Sequence, residues 1–213
     1  MESLLKKAEM ENSPVIIVDG VKKQHHEGLK EIFDHKHLSG LEISLAGMHQ
    51  AENASLAIET ALILNVDEKH IRSGLLRAKN MGRFEEVEEN VIFDGAHNED
   101  GARSLVKNLR RYFPDKSFSF VYGAMADKDL TLIMNVFEEN GFKESSQFYT
   151  VTVEDNPRAD TAENLAKKIE NFGFRANACE NILIALERAK KTSDIAVICG
   201  SLYLYKDLKN YLD

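Results

Sequence analysis

The chain has 213 residues, of which 43% are hydrophobic and 29% charged, which is ordinary globular composition and excludes a disordered or fibrous protein. Its net charge of −8, without a run of Lys or Arg, argues against a nucleic-acid partner. No apolar run approaches the ~20 residues that cross a bilayer, and no signal peptide is recognisable at the amino terminus. Two cysteines cannot form a disulfide framework, so we expect a soluble cytoplasmic protein without a membrane partner.

Residues 1–79 predict a helix, a strand, a second helix, a second strand and then two more helices. The apolar run PVIIV (14–18) is the first predicted strand, and the alternation of apolar and polar residues over 41–45 predicts the second. Residues 49–64 place Ala, Ile and Leu on one helical face, and 66–77 predicts the last helix. Two strands are few for an independent domain, so we interpret this segment as the end of a larger sheet domain.

After Gly82 the pattern becomes regular, because short runs of β-branched and aromatic residues alternate with helical patterns. The predicted strands cover 91–93, 118–122, 148–153 and 195–199, with a weaker candidate at 174–178. The predicted helices cover 99–112, 128–140, 160–171, 180–191 and 202–212. This alternation predicts an α/β fold with a mostly parallel, doubly wound sheet, over residues 80–213. Ligands of such sheets bind outside the carboxyl ends of the strands.

Five short strings carry the chemistry of this sequence. They are GMHQAENA (47–54), MGRFEEV (81–87), DGAHN (94–98), GAMADKD (123–129) and GSLYL (200–204). In this order and spacing they resemble the carboxyl-terminal part of folylpolyglutamate synthase and dihydrofolate synthase, members of the Mur ligase family. The resemblance covers nearly the whole chain. It implies a Mur ligase C-terminal domain over 80–213, preceded in 1–79 by the truncated end of the central ATP-binding domain.

The resemblance also implies an activity. These ligases use ATP to turn a carboxylate into an acyl phosphate, which the amine of an amino acid then attacks. The expected substrates are ATP, L-glutamate and a reduced folate or dihydropteroate, within folate biosynthesis and one-carbon metabolism. The phosphate-binding string G-x-x-x-x-G-K-[ST] is absent, and the resemblance places the Mg²⁺ ligands in the same missing amino-terminal region. We therefore expect an incomplete active site that is inactive alone.

Two other interpretations stay open. The chain could be the corresponding part of a muramyl peptide ligase, although DGAHN and HQAENA are closer to the folate branch. It could also be a non-catalytic module that binds a nucleotide or an amino acid, which the missing phosphate loop would favour. The sequence does not separate dihydrofolate synthase activity from folylpolyglutamate synthase activity.

Four residues are candidates for contacts with the nucleotide. The resemblance implies that Asn53 contacts the adenine base, and the alternative is a capping or solvated helix residue. Arg83 is implied to reach the terminal phosphate as a catalytic residue, whereas pairing with a nearby glutamate is the alternative. Asp94 is implied to bind the ribose hydroxyls. His97 is the second catalytic candidate, near the phosphate or acyl phosphate, and a structural histidine near a helix start is the alternative.

Three further residues are candidates for binding the amino-acid substrate. The resemblance implies that Lys128 holds the carboxylate of the incoming amino acid, and the alternative is a solvated lysine at a helix start. Ser201 is implied to have a similar duty, but it also suits a helix N-cap. Arg158, in the string DNPRAD, is a candidate for a substrate carboxylate, while a turn with capping by Asp160 or Thr161 explains the string equally well.

No metal site is predicted within this chain. The histidines at positions 25, 26, 35 and 37 fit no tetrahedral ligand spacing, and the Lys and Glu residues around them favour a solvated helix.

Overall fold

The computed structural model describes residues 2–212 of the chain and the side chains of residues 2–210. Within that range no helix is both long and apolar enough to cross a membrane. The chain separates into two compact units, and the division after residue 78 lies one residue before the boundary inferred from the sequence. The first unit comprises residues 2–44 and 48–78, and the second comprises residues 45–47 and 79–212.

The first unit contains a three-stranded antiparallel sheet with strand order β1-β2-β3. Helix α2 contacts β2 and β3, and helix α3 contacts β3. The elements are α1 (Glu2–Met10), β1 (Lys22–Glu27), β2 (Lys30–His35), β3 (Leu38–Ile43), α2 (Met48–Ile63) and α3 (Glu68–Arg77). The two helices predicted over 49–64 and 66–77 are confirmed, as is a strand that includes 41–43.

The predicted strand at 14–18 is wrong for the chain as it stands. The side chains of Val15, Ile16 and Ile17 are 49%, 57% and 69% exposed, and the segment is paired with no strand in the described part of the chain. A strand forms only where a neighbour accepts and donates its backbone hydrogen bonds, and no such neighbour is present within residues 2–212.

The solvated helix predicted around the histidines is also wrong, because β1 and β2 form a hairpin there. Glu31, Phe33 and His35 are buried while the residues between them are more exposed, which is the two-residue period of a strand covered on one face. Gly28 lies in the turn with a φ of 57°, a conformation that glycine adopts at little cost. The sequence analysis missed this alternation because charged residues occupy both buried and exposed positions of β2.

The second unit is an α/β fold with a mostly parallel sheet, as predicted from the sequence, and this sheet has six strands in the order β4-β5-β9-β6-β7-β8. Strand β4 is antiparallel to β5, and all the other neighbours are parallel. The strands are β4 (Glu85–Glu88), β5 (Val91–Phe93), β6 (Phe118–Tyr122), β7 (Gln147–Thr150), β8 (Arg175–Ala178) and β9 (Ile195–Cys199). The helices are α4 (Glu99–Tyr112), α5 (Thr131–Glu139), α6 (Phe142–Ser145), α7 (Ala162–Asn171), α8 (Ile182–Thr192) and α9 (Leu204–Leu212).

Burial explains why the strands of this sheet were recognisable. Every residue of β5, β6 and β9 is buried, and these central strands are apolar at every position except Ser119, as is typical of strands covered on both faces. The edge strand β4 was missed because it has the sequence EEVE and is only partly buried. Helix α5 begins at Thr131 rather than at residue 128, which leaves Lys128 in the preceding loop.

Residues 79–213 should fold without the first unit. A core of this size suffices for independent folding, and the buried cluster of Val91, Val121, Ile198 and their neighbours lies within this range. We expect a single cooperative transition when the thermal unfolding of a 79–213 polypeptide is followed by circular dichroism. A broad, uncooperative transition, alongside sharp unfolding of the 213-residue chain, would contradict this expectation.

Candidate functional site

Three of the five strings meet at the carboxyl edge of the parallel sheet. The backbone N–H of Asp94, directly after β5, donates to the carbonyl of Ile198 at 2.9 Å. The N–H of Gly123, after β6, donates to the carbonyl of Cys199 at 3.2 Å, and the N–H of Gly200 donates to that of Ala96 at 2.9 Å. DGAHN is therefore hydrogen-bonded to GSLYL, and GAMADKD to the last residue of β9 directly before GSLYL, at the carboxyl ends of the strands, where such sheets bind ligands.

Asp94 is the buried acid of this edge, with 8% of its surface exposed. One carboxylate oxygen accepts from the N–H of Ala96 at 2.8 Å, and the other accepts from the N–H of Phe84 at 3.0 Å. Burial raises the pKa of Asp94 to about 6, against the opposing effects of these two N–H groups, Arg83 and His97. Each oxygen keeps a lone pair for a further donor.

The raised pKa of Asp94 makes its ionisation a cost to the fold. The pKa of this carboxyl is higher in the folded state than in the unfolded state, so its protonated form stabilises the folded state. This stabilisation is complete below the ordinary pKa of 3.8 and is lost as the pH rises to about 6. Near neutral pH the carboxylate is mostly ionised despite this cost. A buried acid with a perturbed pKa in a crevice is a typical feature of a ligand site.

Arg83 lies beside Asp94 and is exposed. The carbonyl of its neighbour Gly82 accepts from the N–H of Gly95 at 2.8 Å, and its other neighbour, Phe84, donates to Asp94. Gly82 and Phe84 have φ values of 72° and 45°, and the left-handed region is strained for phenylalanine. The backbone on both sides of Arg83 is thus held in an uncommon conformation against the DGAHN segment.

The alternative in which Arg83 pairs with a neighbouring glutamate is not observed. Glu85 accepts from the N–H of Gly82 and from the hydroxyl of Tyr205, and Glu86 accepts from a backbone N–H. Among the side chains of residues 2–210 and the backbone of 2–212, the Arg83 guanidinium finds no hydrogen-bond or ion-pair partner.

His97 and Asn98 lie at the start of α4. The Nδ1 of His97 donates to the carbonyl of Gly95 at 2.9 Å, because a carbonyl can only accept, and this leaves Nε2 as an acceptor in the neutral ring. Asn98 caps α4 by accepting from the N–H of Gly101 at 2.8 Å, as predicted. The ring of His97 is half-buried and fixed in orientation by this one contact.

Gly200 closes the crevice at a point where no side chain fits. Its φ is 98°, and a Cβ there would lie 2.5 Å from the carbonyl oxygen of Gly123 and 2.9 Å from the ring of Tyr122. Ser201 follows, with 5% of its surface exposed, and its hydroxyl accepts from the N–H of Tyr203 at 3.2 Å. Helix α9 begins only at Leu204, so Ser201 stabilises the turn before the helix.

Gly200→Ala should destabilise the second unit by about 2–5 kcal/mol, because it combines backbone strain with overlap against a carbonyl that cannot move freely. The midpoint of urea unfolding, at an unchanged slope, measures this loss. Gly74→Ala is the matched control, since a Cβ at Gly74 within α3 meets nothing within 4 Å and its φ is not positive. Wild-type stability of Gly200→Ala would contradict the close approach of these two segments.

Lys128 and Arg158 lie on two loops that are paired with each other. The N–H of Ala126 donates to the carbonyl of Arg158 at 2.8 Å, and Met125 and Ala159 form an isolated antiparallel bridge. Lys128 is exposed and lies in the loop three residues before α5, so the alternative of a solvated lysine stays open, although the helix begins later than predicted.

The Arg158 guanidinium binds Asp127 at 2.7 Å in an exposed ion pair, a contact that the sequence analysis missed. Arg158 also lies in the predicted turn, where its N–H donates to the side chain of Asn156 at 3.0 Å. Thr161, rather than Asp160, caps α7, and Asp160 instead binds Lys168 at 2.6 Å.

Asn53 belongs to the first unit, where it is the sixth residue of α2 and is exposed. The capping alternative is therefore wrong, because α2 begins at Met48. The same helix carries Glu59, which is buried and accepts from His35 at 2.8 Å and from Lys36 at 2.6 Å. These two contacts lower the pKa of Glu59 below its ordinary value, that of Lys36 having the larger effect.

No metal centre is present among the side chains that the structure describes. Residues 2–210 contain no group of three His, Cys, Asp or Glu side chains that could hold an ion. His35 is 1% exposed and contacts Glu59, which the sequence did not predict. No apolar alternation in the sequence of β2 signals this contact, because Glu31 and His35 are two of its three buried residues.

Comparisons with known proteins agree with this geometry. A model of the family "Mur ligase, glutamate ligase domain" matches residues 82–202. The chain is 32% identical over 182 residues to the dihydrofolate synthase/folylpolyglutamate synthase of Bacillus subtilis, covering 81% of this chain and 41% of that protein. It thus spans less than half of that relative, and the relatives are matched in their carboxyl-terminal half.

Two solved structures are similar over almost the whole chain. Folylpolyglutamate synthase from Thermotoga maritima is 31% identical with a TM-score of 0.83, covering 99% of this chain and 51% of that one. Folylpolyglutamate synthase from Mycobacterium tuberculosis, crystallised with ADP and AMPPCP, is 26% identical with a TM-score of 0.82, covering 99% and 52%.

Proposed function

Because this chain belongs to the Mur ligase family, with the glutamate ligase domain at residues 82–202, we propose that it forms the carboxyl-terminal part of a folate-specific ligase. This ligase uses ATP to add L-glutamate to a reduced folate or to dihydropteroate through an acyl phosphate. The relatives named above, which are dihydrofolate and folylpolyglutamate synthases, support the folate branch. Residues 1–79 are the end of the central ATP-binding domain in this proposal.

One observation carries the proposal: the carboxyl edge of the sheet joins the segments of Arg83, Asp94 and Gly200 through backbone hydrogen bonds. An exposed arginine, without an ion pair among the side chains of residues 2–210, lies there beside a buried carboxylate. This pair presents a cation for phosphate and an acceptor for the ribose hydroxyl groups of a nucleotide.

The nucleotide contacts follow from the properties of these side chains. Asp94 accepts from the ribose hydroxyls, since its oxygens retain free lone pairs. Arg83 binds the terminal phosphate through its planar fork, which remains charged at any working pH. His97, with Nδ1 engaged by Gly95, offers only Nε2 toward the reacting phosphate or acyl phosphate. Asn53 pairs with the adenine edge through its carboxamide.

Glutamate binds at the two paired loops in this proposal. Lys128 is an exposed cation without an ion pair in residues 2–212, and Arg158 lies on the loop hydrogen-bonded to its own. The pair of Arg158 and Asp127 is 67% and 61% exposed, so it is weak and a substrate carboxylate can replace Asp127. Ser201 supplies a hydroxyl at the neighbouring strand end.

ATP and Mg²⁺ are the proposed cofactors, and the nucleotide complex of the Mycobacterium tuberculosis relative supports the first of them. Mg²⁺ spreads the charge that develops on the transferred phosphoryl group. The side chains of residues 2–210 do not fit this ion, since they contain no group of three suitable ligands, so we place its ligands outside this chain. The remaining partners are small molecules in the cytoplasm, without nucleic acid or membrane.

A fusion tests the proposed function. The amino-terminal half of the Bacillus subtilis enzyme, which lies outside the match, is joined to residue 1 of this chain, and we call this protein the fused ligase. We expect phosphate release that requires ATP, glutamate and a reduced folate or dihydropteroate together. Activity with a muramyl peptide instead would support the muramyl ligase alternative, and nucleotide binding without any turnover would support a non-catalytic module.

Lys128→Ala in the fused ligase should raise the KM for glutamate about tenfold or more while changing the KM for ATP little, because it removes one charge-assisted hydrogen bond. Steady-state kinetics with each substrate varied in turn measures both constants. Lys116→Ala is the control, since Lys116 is also an exposed lysine and lies at the opposite end of β6, where it forms only a long, exposed ion pair with Asp194 at 3.8 Å. An unchanged KM for glutamate would remove Lys128 from the substrate pocket.

A further inference from the structure

Glu85, the first residue of β4, reaches back onto the turn that carries Arg83. One of its carboxylate oxygens accepts from the N–H of Gly82 at 2.9 Å, and the other accepts from the hydroxyl of Tyr205 at 3.0 Å. Gly82 is buried, so its N–H needs an acceptor within the protein, and a hydrogen bond to a carboxylate is stronger than one to a neutral group. Glu85 therefore supplies the acceptor that this buried donor requires.

Arg83 lies between two residues whose backbone N–H groups are each held by a carboxylate. The N–H of Gly82 donates to Glu85, and the N–H of Phe84 donates to Asp94 at 3.0 Å. Gly82 and Phe84 have φ values of 72° and 45°, and a backbone in this uncommon conformation persists where its surroundings hold it. Two carboxylates from different segments thus fix the direction in which the Arg83 side chain leaves the backbone.

Tyr205, in helix α9, fixes the Glu85 carboxylate in turn. The ring of Tyr205 lies edge-on against Phe93 of β5, with ring centroids 5.0 Å apart, and the backbone of Glu85 is paired with Phe93 in the ladder of β4 and β5. Burial, and then the hydrogen bond to Glu85, raise the pKa of Tyr205 above its ordinary value of 10, so the hydroxyl stays a donor near neutral pH. Both ends of this hydrogen bond are therefore anchored to the same strand.

The neighbouring residue, Glu86, differs from Glu85 in its contacts although the sequence does not separate the two. Glu86 is exposed and accepts from the N–H of Asn90 at 3.3 Å, in the turn that follows β4. Successive side chains of a strand point to opposite faces, so the two glutamates face opposite sides of β4. Glu85 is thus the glutamate that is bonded to the turn of Arg83, and Glu86 provides a matched control.

We propose that Glu85 is a positioning residue of the ligase, which holds the turn over 82–84 so that Arg83 points at the phosphate, and that Tyr205 holds Glu85 in place. The inference rests on the proposed function, in which Arg83 binds the terminal phosphate. Both oxygens of Glu85 are engaged by the protein, so Glu85 touches no substrate in this proposal. Its effect on turnover is exerted through Arg83.

Hydrogen exchange in the 213-residue chain tests the contact without an enzymatic assay. We expect the amide of Gly82 to exchange about tenfold faster or more in Glu85→Ala than in the wild type, the scale set by one hydrogen bond to a charged acceptor. Glu86→Ala should leave this amide as protected as in the wild type. Wild-type protection of the Gly82 amide in Glu85→Ala overturns the proposal, whatever the activity of the protein is.

Steady-state kinetics of the fused ligase test the effect on turnover. Glu85→Ala should lower kcat by about 10–100-fold with an unchanged KM for glutamate, since a displacement of ~1 Å at a reacting group costs up to about 100-fold. Tyr205→Phe keeps the ring against Phe93 and removes only the hydroxyl, so it tests the proposal independently of the stability of Glu85→Ala. We expect a smaller loss of kcat in this variant and a wild-type rate in Glu86→Ala. Wild-type kcat in both Glu85→Ala and Tyr205→Phe overturns the proposal.

A double-mutant cycle with Arg83→Ala separates positioning from a general structural effect. Because Glu85 acts through Arg83 in this proposal, Glu85→Ala should not lower kcat further once Arg83 has been replaced by alanine. Losses that multiply in the double variant overturn the proposal. Failure of the two proposals is distinguishable, because an inactive wild-type fused ligase refutes the ligase function, whereas an active one with multiplying losses refutes only the role of Glu85.

Discussion

Arg83→Ala in the fused ligase should lower kcat by roughly 10²–10³-fold, the scale seen when one preorganised charge-stabilising group is removed. The backbone on both sides of Arg83 is tied to the DGAHN segment through Gly95 and Asp94, so its position is set before any ligand binds. Its guanidinium forms no ion pair with the side chains of residues 2–210, so no existing ion pair has to break before it binds a phosphate. Single-turnover phosphate release measures the effect without interference from product release.

Two further variants give this experiment its controls. Arg83→Lys keeps the positive charge but loses the planar guanidinium, which can donate two parallel hydrogen bonds to a phosphate, so we expect an intermediate rate. Arg175→Ala removes an exposed arginine from the first residue of β8, which is the outermost strand on the side of the sheet opposite to β4. This variant should leave the rate unchanged. If Arg83→Ala turned over as fast as the wild type, Arg83 would be a surface residue without a catalytic role.

The second unit could be predicted closely from the sequence because its strands are buried on both faces. The run Ile195–Cys199 is apolar at every position and Phe118–Tyr122 is apolar at all positions but Ser119, and the helices between the strands carry recognisable caps at Asn98 and Thr161. The edge strand over 85–88 escaped prediction, since an exposed acidic strand has no apolar pattern.

The first unit was harder to predict for two physical reasons. Charged residues cover the exposed face of its hairpin, so the buried positions Glu31 and His35 do not look like core residues. The run at 14–18 has strong strand character, but no strand within residues 2–212 pairs with it. Local preference alone does not form a strand where no neighbour provides its backbone hydrogen bonds.

The sequence motifs that form the candidate site could be predicted, but the burial and the contacts of their side chains could not. The rule for parallel sheets anticipated that DGAHN, GAMADKD and GSLYL lie at one edge. The raised pKa of Asp94 could not be anticipated, because it arises from burial by segments far apart in sequence. The pair of Asp127 and Arg158 also required the structure, since its partners are 31 residues apart on separate loops.

In the proposed function, this chain holds half of a ligase active site. Acyl-phosphate formation needs a cradle of backbone N–H groups for the triphosphate, a lysine on its outer phosphates and a bound Mg²⁺. The sequence contains no phosphate-binding loop, and residues 2–210 contain no cluster of metal ligands. The net charge of −8 also provides no general attraction for ATP, glutamate or a folate, all of which are anions.

Phosphate release by the purified 213-residue protein tests directly whether the chain alone has a complete active site. The protein is incubated with ATP, Mg²⁺, glutamate and a reduced folate, beside the fused ligase at the same concentration. We predict no folate-dependent phosphate release from the chain alone and clear release from the fused ligase. Phosphate release by the chain alone that strictly requires the folate would show a complete site and contradict the account.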